Sequence, residues 1–152
     1  MRIECGAAEQ FDRVRPLWLE LRQHHAEIAP LWRPGLLAAS FEDRREGLLR
    51  KAVNGLAVLL ATMDGRDAGY CICTIDADRQ GEVDSLYVMA EHRRRGLGRA
   101  LMREAMRWLG DRPTSGIIVD VLSGNDAAMR LYESFGFHAR TVRLRHVADG
   151  AA

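Results

Sequence analysis

Arg93-Arg94-Arg95-Gly96-Leu97-Gly98-Arg99 stands where an apolar, strand-like run gives way to a helical pattern. At such a junction glycines let the backbone come close to a ligand, and the unpaired N–H groups of the first helical turn point at it. The helix dipole and the flanking guanidinium groups favour an anion there, phosphate above all. Two common phosphate motifs do not apply. Leu101 stands where Gly-x-Gly-x-x-Gly needs its third glycine, and no Gly-Lys-Ser/Thr is present, which disfavours a dinucleotide fold and nucleotide hydrolysis. Glu82, Asp84 and Glu91 lie close by and the formal net charge is only +1, so nucleic acid is not the expected partner. Arginine alone carries little signal, because every one of the 22 basic residues except Lys51 is an arginine.

This segment needs elements to hold it. Residues 1–5 alternate as a short strand, and Phe11, Val14, Leu17, Trp18, Leu21, His25 and Ile28 recur at helical spacing, with Pro16 either starting or kinking that helix. Ser40 followed by Glu42 and Asp43 predicts a capped second helix running to about Val53. Residues 56–63 and 68–75 read as strands joined by the hairpin turn Asp64-Gly65-Arg66-Asp67, and 82–89 as a further strand. A helix over 98–109, a buried strand over 117–122, a helix over 126–135 and a last strand over 137–147 complete the order β-α-α-β-β-β-α-β-α-β. The class is α/β (α+β): a single mixed, mostly antiparallel sheet flanked by helices. One domain is expected over residues 1–148, with 149–152 as a frayed tail.

Composition agrees with a globular domain. The 152 residues have mass enough for one core, and 47% hydrophobic with 28% charged residues excludes disordered, collagen-like and disulfide-scaffold classes. Cys71 and Cys73 lie within a strand-like run, where they are expected to point to opposite faces as small core residues; no His or Cys spacing suggests a metal. The start carries no secretory pattern, and the longest apolar window, 55–61, is too short for a bilayer, so the expectation is a cytoplasmic protein without a membrane partner.

Arg93-x-x-Gly96-x-Gly98 after Val83-Asp84-Ser85-Leu86-Tyr87-Val88 resembles the acyl-CoA-binding motif of the GCN5-related N-acetyltransferase (GNAT) superfamily. Asn125-x-x-Ala128-x-x-x-Tyr132-x-x-x-Gly136-Phe137 is similar to the later motif of that family. The resemblance runs from about Leu56 to Val147 and implies the GNAT fold and transfer of acetyl from acetyl-CoA to a primary amine in a ternary complex. A small-molecule amine is the expected acceptor. Alternatives are a protein N-terminus or lysine, or a catalytically silent acyl-CoA-binding module.

The resemblance also implies roles. Amides of the segment Arg94, Arg95, Gly96, Leu97, Gly98 and Arg99, with Arg93 before it, would cradle the coenzyme A pyrophosphate. The pantetheine arm would pair with Leu86, Tyr87 and Val88 across a gap toward the next strand, opened by a bulge. The Leu86 N–H would polarise the thioester carbonyl. An amine attacks only as the neutral species, so a base is needed: Glu82 is the first choice and Asp84 the second, with a two-residue period placing Glu82, Asp84, Leu86 and Val88 on one face. Tyr132 would protonate the departing thiolate, and Asn125 would bond pantetheine or cap its helix. The first two helices would line the acceptor pocket through Trp18, His24 and Trp32, with Asp84 and the other acids favouring a cationic amine. Cys71 and Cys73, away from the site strand in sequence, give no reason for a covalent intermediate. A homodimer is common in the family.

Overall fold

Asp64 and Gly65 take positive φ values of 51° and 78°, and the chain reverses there between β2 (Gly55–Met63) and β3 (Arg66–Ile75). β1 (Arg2–Gly6) pairs antiparallel with β2, and β4 (Gln80–Val88) antiparallel with β3. β5 (Gly116–Ile118) joins β4 in parallel, so five strands lie in chain order in one mixed, mostly antiparallel sheet. This computed structural model describes residues 1–148; the tail expected over 149–152 lies outside the described residues.

The helices form where apolar stripes meet good caps. α1 (Phe11–Ile28) buries Phe11, Val14, Leu17, Trp18 and Leu21 at three- and four-residue spacing. Pro16 sits inside α1 without ending it, because the bond it deletes belongs to Asp12 in the exposed first turn. A short helix absent from the sequence reading, α2 (Arg33–Ala38), follows with Pro34 in its first turn, where a missing N–H costs nothing. Ser40 caps α3 (Phe41–Lys51) as expected, its Oγ accepting from the Asp43 N–H at 3.1 Å. α4 (Leu97–Gly110) and α5 (Asp126–Glu133) complete the fold.

Each face of the sheet has its own core. Leu59, Val83, Leu101, Met102, Leu109 and Tyr132 belong to the face covered by α4, whereas Phe11, Trp18, Val58, Leu60, Tyr70, Ile72 and Tyr87 belong to the face covered by α1 and α3. Each large side chain buried this way contributes about 1.5–3 kcal/mol, so β4 is fixed from both sides.

Three expectations need correction. No strand forms over 137–147, where Val142 and Leu144 are 78% and 88% exposed. The alternating pattern is present, but a strand also needs a ladder, and among the described residues no neighbouring strand is paired with this segment. The strand expected over 117–122 is only Gly116–Ile118, since β4 and β5 pair solely at Gln80, Gly81 and Glu82. Cys71 and Cys73 share one face, as the strand period of two requires, with their Sγ atoms 4.0 Å apart.

Candidate active site

The ladder between β3 and β4 slips once. Ile72 lies opposite Ser85 and Cys73 opposite Val83, which leaves Asp84 as the extra residue of a bulge. The bulge breaks the alternation along β4: Val83, Leu86 and Val88 pack on the α4 side, while Glu82 and Asp84 both meet Lys51 of α3 on the other. Glu82, Asp84, Leu86 and Val88 therefore do not share a face, because the regular two-residue count does not survive the inserted residue.

Among the described residues, β4 has no partner on its β5 side beyond Glu82. The Met89 N–H donates to the Ala68 carbonyl of the neighbouring strand side, whereas the Val88 carbonyl accepts from Arg93 Nε at 2.9 Å. Backbone groups alternate along a strand, so the N–H and carbonyl of Leu86 share the Val88 side and face the gap. A cavity of about 300 Å³ opens there, walled by Leu86, Tyr87, Val88, Arg93, Arg94, Gly98, Asn125 and His24.

The loop entering α4 is shaped for an anion. Arg94 and Gly96 have φ values of 60° and 85°, and Gly96 is the left-handed N-cap of α4. Such turns direct successive N–H groups into one concavity, and the first-turn amides of a helix have no partner within it. Leu97 is buried and anchors the start of α4, while Arg95 and Arg99 are exposed and line neither cavity of the site. His92, in the same cavity wall, has a buried Nδ1 without a partner among the described residues. The concavity, the positive loop and the open strand edge fit a diphosphate that carries an amide-bearing arm. Arg93 takes a second position, its guanidinium bonding the strand edge and lying 5.4 Å from the Tyr87 ring centroid.

Lys51 joins the candidate site without having been marked by the sequence. Its Nζ donates to Glu82 Oε2 at 2.5 Å and to Asp84 Oδ1 at 2.6 Å, while Thr74 Oγ1 donates to Asp84 Oδ2 at 2.6 Å and Arg44 Nη2 to the Asp84 carbonyl at 2.7 Å. The Asp84 side chain is 1% exposed and that of Glu82 16%. Burial opposes the charge on Lys51, yet the hydrogen bonds that it donates to Asp84 and Glu82 prevail and hold its pKa above the ordinary lysine value. The sole sign of Lys51 in the sequence is that it is the one lysine among arginines.

A second cavity of about 180 Å³ lies between α1, α2, α3 and β4, lined by Trp18, Arg22, His25, Leu36, Ala39, Arg44, Asp84 and Ser85. Leu21 lines both cavities, so one side chain stands between them. Of the acceptor-side expectations, Trp18 and Asp84 line the second cavity and His24 the first; Trp32 lines neither. Glu82 and Tyr132 also line neither. Burial first, and Arg93 second, lowers the His24 pKa; burial and then His24 lower that of His25.

Tyr132 is buried with its ring edge against Phe137, centroids 6.0 Å apart. Burial, followed by Cys71 and Cys73, raises its pKa well above the ordinary phenol value, so it remains protonated. Asn125 does two things at once: its Oδ1 accepts from the Ala128 N–H at 3.2 Å, capping α5, and its side lines the first cavity. Cys71 lies opposite Leu86 and Cys73 opposite Val83, beside the site strand rather than away from it. The Cys71 sulfur and then burial push the Cys73 thiol well up, which leaves it a poor nucleophile.

Residues 16–137 match the acetyltransferase (GNAT) family, and the chain belongs to that family. Over 85 residues it is 33% identical to the ribosomal protein bS18-alanine N-acetyltransferase of Escherichia coli K12, covering 56% of this chain and 57% of that one, so it spans little more than half the length of that relative. Its fold resembles that of a mutant protein from Bacillus halodurans, at a TM-score of 0.74 and 17% identity over 97% of this chain and 99% of the other. It also resembles the aminoglycoside N-acetyltransferase AAC(6')-Iy in complex with CoA, at a TM-score of 0.65 and 17% identity over 97% of this chain and 100% of the other.

Proposed function

We propose that the protein is an acetyl-CoA-dependent N-acetyltransferase whose acceptor is the primary amine of a small molecule. The observation that carries this reading is the open edge of β4 at Leu86–Val88, continuous in one cavity with Arg94 and Gly98 at the start of α4. Acetyl-CoA, when bound, supplies a thioester carbon open to attack. The α4 amides with Arg94 bind its diphosphate, Asn125 and the β4 edge hold the arm, and the Leu86 N–H stabilises charge that develops on the carbonyl oxygen.

Proton traffic follows from the Lys51 group. Asp84 is the carboxylate that reaches the acceptor cavity, and it takes the proton from the amine while Lys51, which stays charged, holds Asp84 and the more exposed Glu82 in place. Asp84 thus gains one proton and releases it to water through the cavity that it lines. Tyr132, one helical turn beyond the cavity residue Ala128, donates to the departing sulfur. The small volume of the second cavity, and the aminoglycoside acceptor named for one relative in fold, support a small molecule.

The test is calorimetry of the purified protein with CoA, then thiol release from acetyl-CoA across amines and peptides. Binding and amine-dependent release are expected. Absence of CoA binding overturns the reading, and binding without release from any acceptor makes the chain a silent acyl-CoA module.

A further inference from the structure

The second cavity is built around two guanidinium groups that lack an acid. Arg22 of α1 is held rigidly: its Nη1 donates to the carbonyls of Leu37 and Ala39 at 3.2 and 2.7 Å, and its guanidinium carbon lies 5.6 Å from the Trp18 ring centroid. Its Nε is buried and has no partner among the described residues. Arg44 of α3 reaches the same cavity and is bonded to a backbone carbonyl. Among the described residues neither arginine takes part in an ion pair.

The only acid in the wall, Asp84, is already engaged by Lys51 and Thr74. The two arginines outnumber that acid in the wall, so beside the cationic amine that the acids were expected to favour the cavity has room for an anionic group. A buried N–H donor without a partner is unfavourable, and the cost is offset here only by the bonds that the rest of the guanidinium makes. Guanidinium groups recognise carboxylates through paired N–H donors of fixed geometry.

We propose that the acceptor carries a carboxylate beside its amine and is a free amino acid, with the carboxylate on Arg22 and Arg44. The proposal deepens the acetyltransferase reading and rests on it. Ser85 lines the same cavity and immediately precedes Leu86, so an amine at that end lies beside the strand gap. The volume of about 180 Å³ is below the ~300–1,000 Å³ typical of sites for drug-sized ligands and suits a molecule of amino-acid size.

The experiment measures thiol release from acetyl-CoA with the free amino acids, each paired with its amide and its decarboxylated amine, and with dipeptides of the same first residue. At least one amino acid should exceed both partners in kcat/KM by about tenfold or more, mainly through KM. In Arg22→Gln the acid-to-amide ratio should fall toward one, and Arg22→Lys should restore part of it. Because the ratio is taken within each protein, a general loss of folded enzyme cancels. Amides or decarboxylated amines that match the acids throughout overturn the carboxylate site. Dipeptides preferred over every amino acid overturn the free amino acid as its source. CoA binding with no turnover of any amine overturns the transferase reading itself, an outcome distinct from both.

Discussion

Lys51 shows how a residue's role can be set by contacts that no local pattern encodes. Its partners Glu82 and Asp84 are more than thirty residues away, and they become neighbours only because α3 packs beside β4. Replacing Lys51 by Met leaves two mostly buried carboxylates without their cation, which should cost about 3 kcal/mol in denaturant unfolding. The folded pKa of Lys51 is raised, so its contribution is complete below the ordinary lysine pKa of ~10.4 and is lost as pH rises through the higher folded value. The difference between wild type and Lys51→Met should accordingly stay level from pH 7 to 10 and shrink above that. Gly96 is the opposite case, legible from its motif alone. A Cβ there meets nothing within 4 Å, but φ of 85° is costly for alanine, so Gly96→Ala should lose about 1–2 kcal/mol of stability and weaken CoA binding through a displaced loop. Full retention of CoA affinity in calorimetry would mean that the loop amides are not the anion site.

At the scale of elements, hydrophobic periodicity located α1, α3, α4, α5 and β1 to β4, and Ser40 and Asn125 both proved to be caps. It failed where structure depends on a partner. The bulge at Asp84 has no mark in β4, because it arises from the register against β3, and the segment after Phe137 has strand alternation without a ladder. α1 offers an element-level prediction. His24 and His25 both have folded pKa values depressed chiefly by burial, with Arg93 acting on His24 against the opposing pull of Glu27. Arg22 lines the cavity beside His25 and adds a further positive charge to that face. The unfolded chain binds their protons first as pH falls, so their contribution is present above the ordinary histidine pKa of ~6.5 and is lost through the lower folded values. Unfolding free energy should therefore decline from pH 7 to 5, and His25→Gln should flatten that slope. An unchanged slope in His25→Gln would assign the acid sensitivity elsewhere.

For the whole molecule, the sheet is a wall with a different task on each face. The start of α4 lines the first cavity together with α1, α5 and β4, the second cavity lies on the α1 and α3 side, and among the described residues β4 is the one strand that lines both. The net charge of +1 gives no long-range field for a phosphate, so attraction must come from the amides and arginines at the start of α4. A ligand that binds only the folded state adds about 2.7 kcal/mol at a hundred times its Kd, and ~2–4 °C in Tm per kcal/mol applies at this chain length. CoA at that concentration should thus raise Tm by roughly 5–11 °C. Pantetheine, which has the amide-bearing arm and thiol but no diphosphate, should give a much smaller shift at equal concentration. An equal shift from pantetheine would place the binding free energy on the β4 edge alone and remove the diphosphate from α4.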